Sequence, residues 1–210
     1  SNIFSPLIIN GRPLKSINHY YNRKRAYLYS KQKIKSNSNT DEKENLHIRK
    51  TKRMQRLSLK RNCRINDYLH KASHFIVNQL VSENVNTLVI GHNKLWKQDT
   101  RMGRINNQNF IQIPFQRFIH MLEYKCRLNG INVVETEESY TSKCSFLDEE
   151  EINRHEVYTG KRISRGLFKT SNGKLINADV NGSLNILKKA IGKFDYDPVK
   201  VCTAPMVIIP

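Results

Sequence analysis

Apolar positions along the chain fall into short, separable patterns. Ile65, Leu69, Ala72, Ile76 and Leu80 recur at spacings of four, three, four and four, which is one stripe of an α-helix. Phe115, Phe118, Ile119 and Leu122 mark a second amphipathic helix over Phe115–Leu128, stopped by Asn129-Gly130. The runs Leu88-Val89-Ile90 and Ile131–Val134 are too short for helices and read as buried strands. Residues 2–9 read as a strand arriving at the turn Asn10-Gly11-Arg12-Pro13. A closing helix over Asp179–Ile191 carries Leu184, Ile186, Leu187 and Ala190. Strands alternating with helices, then a polar stretch over 139–174 and a last helix, predict an α/β fold. No internal repeat is present.

Charge changes this picture most between Arg12 and Arg64. That quarter of the chain holds 17 Lys and Arg against three acids (Asp41, Glu42, Glu44), so it supplies net +14 of the total +18. The break Lys35–Thr40 divides it into two basic stretches, and the acids crowd the start of the second, where a helix dipole favours them. The expectation is a helical hairpin with cationic faces. An excess of one sign calls for an anion, and nucleic acid is the densest available. No stretch reaches the ~20 apolar residues of a membrane span, and no export signal opens the chain, so a membrane partner is not expected and the location expected is cytoplasmic, at the nucleoid.

Tyr20, Tyr21, Tyr27 and Tyr29 are interleaved with Arg23, Lys24, Arg25 and Lys31, which suits phosphate contact with stacking and equally suits packing of the hairpin. Lys15, Lys52, Arg53, Arg56, Lys60, Arg61 and Lys97 complete the candidate nucleic-acid-binding set. In the loop 91–109, Trp96 fits either a base or the sheet edge, and Asn107 and Gln108 fit either phosphate or the turn before Phe110.

Candidate chemistry sits where short strands end. Ile131–Val134 runs into Glu135, Glu137 and Glu138, and Asp179 opens the last helix. In α/β sheets ligands gather beyond strand ends. Carboxylates converging there repel one another unless a divalent cation separates them, and hard oxygen donors suit Mg²⁺ or Mn²⁺. On a basic protein such a site points to phosphodiester cleavage. An acid after a strand is also an ordinary solvated turn residue, and the run Asp148–Glu151 reads that way.

Several blocks of the chain resemble one family. Tyr140-Thr141-Ser142-Lys143-Cys144-Ser145 and Asn177-Ala178-Asp179-Val180-Asn181-Gly182-Ser183-Leu184-Asn185-Ile186 are similar to the TnpB (OrfB) proteins of insertion sequences, relatives of Fanzor proteins and type V CRISPR effectors. The resemblance extends through Asn10–Asn18, Ile90–Lys94 with Trp96-Lys97-Gln98, and Asn107–Phe110. It implies an RNase H-like, RuvC-type mixed sheet that cuts DNA under a guide RNA, using three acids and Mg²⁺ or Mn²⁺. By position Asp179 matches the last acid. The family's usual middle acid falls at Gly91 here, while a subset carries Glu-Glu-Ser-Tyr-Thr-Ser after the later strand. Glu138 is therefore the first candidate and Glu137 the alternative, strand alternation allowing only one of them to face the metal. The first acid of the family lies ahead of the segment matching Ser1 to Ile9, so the first catalytic strand is expected to be missing and this chain to be inactive alone.

The implied organisation is a nuclease domain over 1–11 and 65–192, a basic helical insertion over 12–64, and a C-terminal tail over 193–210. The polar excursion 139–174 stands where many relatives carry two CxxC pairs. Cys144 is the one cysteine there, so no zinc is expected, and the four scattered cysteines are expected to be free thiols. The alternative function is a truncated, inactive nucleic-acid-binding remnant of such a transposon gene.

Overall fold

The structure, a computed structural model, describes residues 5–37, 50–93 and 103–210, and only the backbone of 33–37. Asp41, Glu42, Glu44, Trp96 and Lys97 lie outside the described residues.

The short strand β1 (Leu7–Ile9) delivers the chain to helix α1 (Arg12–Asn37). Helix α2 (Lys52–Ser82) returns against it, its N-terminus capped by Thr51, whose hydroxyl accepts from Met54 N at 3.3 Å. The two form the expected basic hairpin. Helix α2 passes residues 64 and 65 without a break, however, so the expected end of the basic insertion is no end of an element. Charge changes there and helical period does not: the stripe from Ile65 to Leu80 continues the same helix, burying Ile65, Tyr68, Leu69, Ala72, Val77 and Leu80.

Strand β2 (Thr87–His92) follows, then α3 (Arg104–Ile111), α4 (Phe115–Leu128) and β3 (Asn132–Glu137). Helix α3 begins inside the expected loop 91–109 and runs on to Ile111; it is not legible as a helix, because its one buried residue is polar. That residue, Asn109, receives hydrogen bonds from the side-chain amides of Asn18 and Asn22 at 2.9 and 3.0 Å, which fasten α3 to α1. Gly130, with φ of +70°, ends α4 and turns the chain so that Ile131 N reaches the Cys126 carbonyl. Strands β2 and β3 pair in parallel, Gly91 opposite Thr136 and His92 opposite Glu137. Such pairing needs a crossover, which α3 and α4 provide.

The polar excursion proves to hold structure. Strands β4 (Lys161–Ser164), β5 (Leu167–Lys169) and β6 (Leu175–Asn177) form an antiparallel three-stranded meander. Carboxylates tie its loops: Glu150 accepts from Ser145 N and Thr159 N, and Asp148 from the Ser171 amide and hydroxyl. Asp148 and Glu150 are thus structural acceptors. Helix α5 (Ala178–Ile191) packs on β2 and β3 and also on β5 and β6, joining the two sheets. Phe146, Phe168, Ile176, Val180 and Leu184 form the core beneath it. After α6 (Pro198–Cys202), strand β7 (Met206–Ile208) pairs in parallel with β1. The four cysteines are free. Among the described residues no helix is long and apolar enough to cross a membrane.

Candidate functional site

The end of the parallel pair and the start of α5 meet at a cleft of about 580 Å³. Asn177 caps α5, its side-chain Oδ1 accepting from Asp179 N and Val180 N at 2.9 and 3.3 Å, and this sets Asp179 in the first turn. Asp179 and Glu138 both line the cleft. Glu137 does not: its carboxylate accepts from Lys189 Nζ at 2.6 Å and from the Ser139 amide and hydroxyl. The Lys189 contact holds the Glu137 carboxyl below its ordinary value. Glu135 faces His92, with Nδ1 at 3.4 Å from its carboxylate.

Glu138 is half-buried, and burial raises its pKa above the ordinary 4.5, His92 opposing and Glu137 adding to the effect. Its position depends on Gly91. A Cβ at residue 91 would lie 2.5 Å from Ile186 Cδ1 and 3.2 Å from Glu138 Oε2. The space that a side chain on β2 would enter is therefore filled by Ile186 and by the carboxylate arriving from β3.

The donors suit a hard divalent cation: two carboxylates from separate elements face one solvent-reached cleft, and Mg²⁺ is held by one or two carboxylates together with substrate phosphates. Among the described residues no cluster of three or more His, Cys, Asp and Glu side chains could hold a metal. Lys143 and Arg162 line the same cleft and carry positive charge that the sequence patterns did not place there.

The wall of the cleft is held from behind by two asparagines one helical turn apart on α5. Asn181 donates to the Cys144 carbonyl at 2.9 Å and accepts from Phe146 N at 3.0 Å. Asn185 donates to the carbonyls of Thr141 and Cys144 at 2.9 and 2.8 Å. Both are fully buried. The two sequence blocks carrying the family resemblance are thus one physical unit, the second fixing the loop that the first forms.

A second candidate surface is the groove between α1 and α2. Tyr20, Lys24, Tyr27, Arg53, Arg56 and Lys60 line about 280 Å³ there, with no acid among the lining residues. Tyr20 and Tyr27 stand 52% and 49% exposed, with Lys24 and Lys31 over their rings at 6.0 and 5.1 Å. Tyr21 instead bonds Ser58 at 3.1 Å and lies under Arg61, and Tyr29 is taken by Arg25. Arg61 works inside the protein, donating to Asn18 Oδ1 at 2.9 Å and to the Gln112 carbonyl at 2.7 Å. Lys15 lies 5.9 Å from the Phe110 ring centre. Of the remaining candidates, Arg23 and Lys52 are exposed.

The chain has recognisable relatives. Residues 4–97 match the model of the probable transposase family OrfB_IS605, and residues 115–186 match that of the Cas12f1-like TNB domain. A TnpB-like protein of Acidianus two-tailed virus is 30% identical over 128 residues, 60% of this chain and 24% of that protein. The chain spans about a quarter of the length of that curated relative. A chain in a cryo-EM structure of the Cas12f1–sgRNA–target DNA complex aligns with a TM-score of 0.48 at 17% identity, over 64% of this chain and 36% of that one. With two such models met in order along the sequence and a TnpB-like relative across more than half of it, the chain belongs to the TnpB-type family of transposon-associated proteins.

Proposed function

We propose that this chain is the RuvC-type nuclease part of a TnpB-type protein, hydrolysing DNA phosphodiesters with Mg²⁺ or Mn²⁺ under the direction of a guide RNA. The observation that carries the reading is the placement of Glu138 and Asp179 on one cleft, with the Glu138 carboxylate standing over the bare Gly91 of β2. A middle acid transferred from β2 to the end of β3 reaches the same space from the neighbouring strand. Glu138 and Asp179 would hold the cation, which when bound polarises a phosphoryl oxygen and supplies a nucleophilic water. Lys143 and Arg162 attract the phosphate backbone to that wall, and Glu137 stays with Lys189.

In this reading 1–11 and 65–192 form the RNase H-like domain, 12–64 the basic insertion, 139–174 the excursion in place of a zinc ribbon, and 193–210 the tail. The experiment is cleavage of guide-matched DNA by the full-length protein with its RNA. Cutting should need Mg²⁺ or Mn²⁺ and stop in EDTA, and cutting that persists in EDTA would remove the cation from the reading.

The hairpin groove supplies the electrostatic part of binding. Lys24, Arg53, Arg56 and Lys60 neutralising about four phosphates give a log–log salt slope of about −2.8 to −3.6. Affinity for nucleic acid should then fall by about 50- to 150-fold between 50 and 200 mM salt. Arg56→Ala should reduce the slope by about one, measured by fluorescence anisotropy across a salt series. A flat response would exclude phosphate contact.

A further inference from the structure

Tyr140 lies at the edge of the cleft in a backbone conformation that tyrosine rarely adopts, with φ of +66°. The turn that imposes this is tied on both sides. Lys143 N and Cys144 N donate to the Tyr140 carbonyl at 3.0 and 3.1 Å, and the Thr141 hydroxyl donates to the Glu138 carbonyl at 2.7 Å. Asn185 then holds the carbonyls of Thr141 and Cys144 against α5. None of these bonds uses the tyrosine side chain, and glycine would satisfy the same turn without a steric cost. A tyrosine nevertheless stands there, and the residue is 38% exposed. Among the described residues it makes no hydrogen bond through its hydroxyl and no ring contact. It shares the cleft with Glu138, Asp179, Lys143 and Arg162.

We infer that Tyr140 is a stacking platform for one unpaired nucleobase, set at the mouth of the cleft so that the phosphate beside that base faces Glu138 and Asp179. The inference rests on the nuclease reading of the cleft. Lys143 and Arg162 attract the flanking phosphates, and a rigid, aromatic, half-exposed face accepts any base once it is unstacked. A paired base offers no such face, so the partner is single-stranded, as DNA or RNA.

The test uses the full-length protein in Ca²⁺ at low salt, with labelled 12-mers of thymidylate and of uridylate and a DNA duplex of equal length, read by anisotropy. Tyr140→Ala and Tyr140→Gly should lose about 5-fold or more in single-strand affinity, and Tyr140→Phe should keep it. Tyr140→Gly should at the same time raise the melting midpoint by about 2–4 °C, because it relieves the backbone. Loss of affinity beside a gain in stability cannot come from damage to the fold. The DNA and RNA arms show which strand is taken. Unchanged affinity in Tyr140→Gly, equal losses in the phenylalanine variant, or equal losses on the duplex would each overturn the inference. Cleavage by Glu138→Gln, measured in parallel, reports on the nuclease reading separately.

Discussion

Glu138→Gln is expected to lower cleavage by about 10³-fold or more while making the protein more stable at neutral pH. The activity loss follows from removing one of two charged oxygen donors, a loss of several kcal/mol of transition-state stabilisation at about 1.4 kcal/mol per tenfold. The stability gain follows from burial, which raises the Glu138 pKa above its ordinary 4.5. A carboxyl whose folded pKa is raised contributes fully below its unfolded value, and that contribution is lost as pH rises through the folded value. The wild type should therefore lose stability relative to the glutamine variant as pH climbs from about 4 toward 7. Melting curves in EDTA should coincide at the acid end and separate toward neutral pH, the variant higher. Asp179→Asn should lose cleavage to the same degree with the opposite sign of stability. Asp179 is exposed in the first turn of α5, where negative charge is favoured by about 0.3–1 kcal/mol. A pair of variants equally inactive but displaced in opposite directions on the stability axis would tie the loss to the cleft itself. Full activity in either variant would take that residue out of the site.

The other large effect belongs to Asn181. Asn181→Ala removes an acceptor from Phe146 N and a donor from the Cys144 carbonyl in a place that water does not reach. The Cys144 carbonyl keeps Asn185, but the Phe146 amide is left without its partner, and the missing side-chain atoms leave a void. The combined cost is about 2–4 kcal/mol, which for a chain of this size lowers the melting midpoint by about 5–15 °C. Asn181→Asp is the informative companion, since its carboxylate keeps the acceptor and lacks the donor, and at neutral pH it buries a charge. It should be at least as damaging. Calorimetry would measure both, and a change under 2 °C in either would mean that the loop from Thr141 to Phe146 is held by something other than α5.

Much of the architecture was legible wherever a period survived in the apolar residues. The stripe from Ile65 to Leu80 and the face from Phe115 to Leu122 both became helices, and the runs at 88–90 and 131–134 became the parallel pair β2–β3. The meander was not legible. Lys161, Arg162 and Ser164 are exposed, each strand is three or four residues long, and the alternation that marks a half-buried strand needs more length than that. Helix α3 escaped because its anchoring contact is an asparagine network reaching back to α1.

The candidate site divides the same way. Asp179 could be found from its place at a helix start, a local signal. Which of Glu138 and Glu137 faces the cleft follows from Lys189, some fifty residues distant in sequence, and from the missing side chain of Gly91. Tyr140 gave no signal at all, since a left-handed residue is ordinarily announced by glycine or asparagine.

The pairing of β1 with β7 has a bearing on how the protein is made. Leu7–Ile9 finds its partner Met206–Ile208 only after roughly 200 further residues have been synthesised, the widest ring that any strand pair here must close. At about 5–20 residues per second the ribosome needs on the order of 10–40 s to bring the second strand into existence. Through that interval the edge of β1 that β7 will cover waits for its partner, while the helix pair that follows β1 can already condense. The clasp is thus set only once β7 has been made, and the time before it closes is when a nascent chain is most open to pairing with a neighbour on the same messenger.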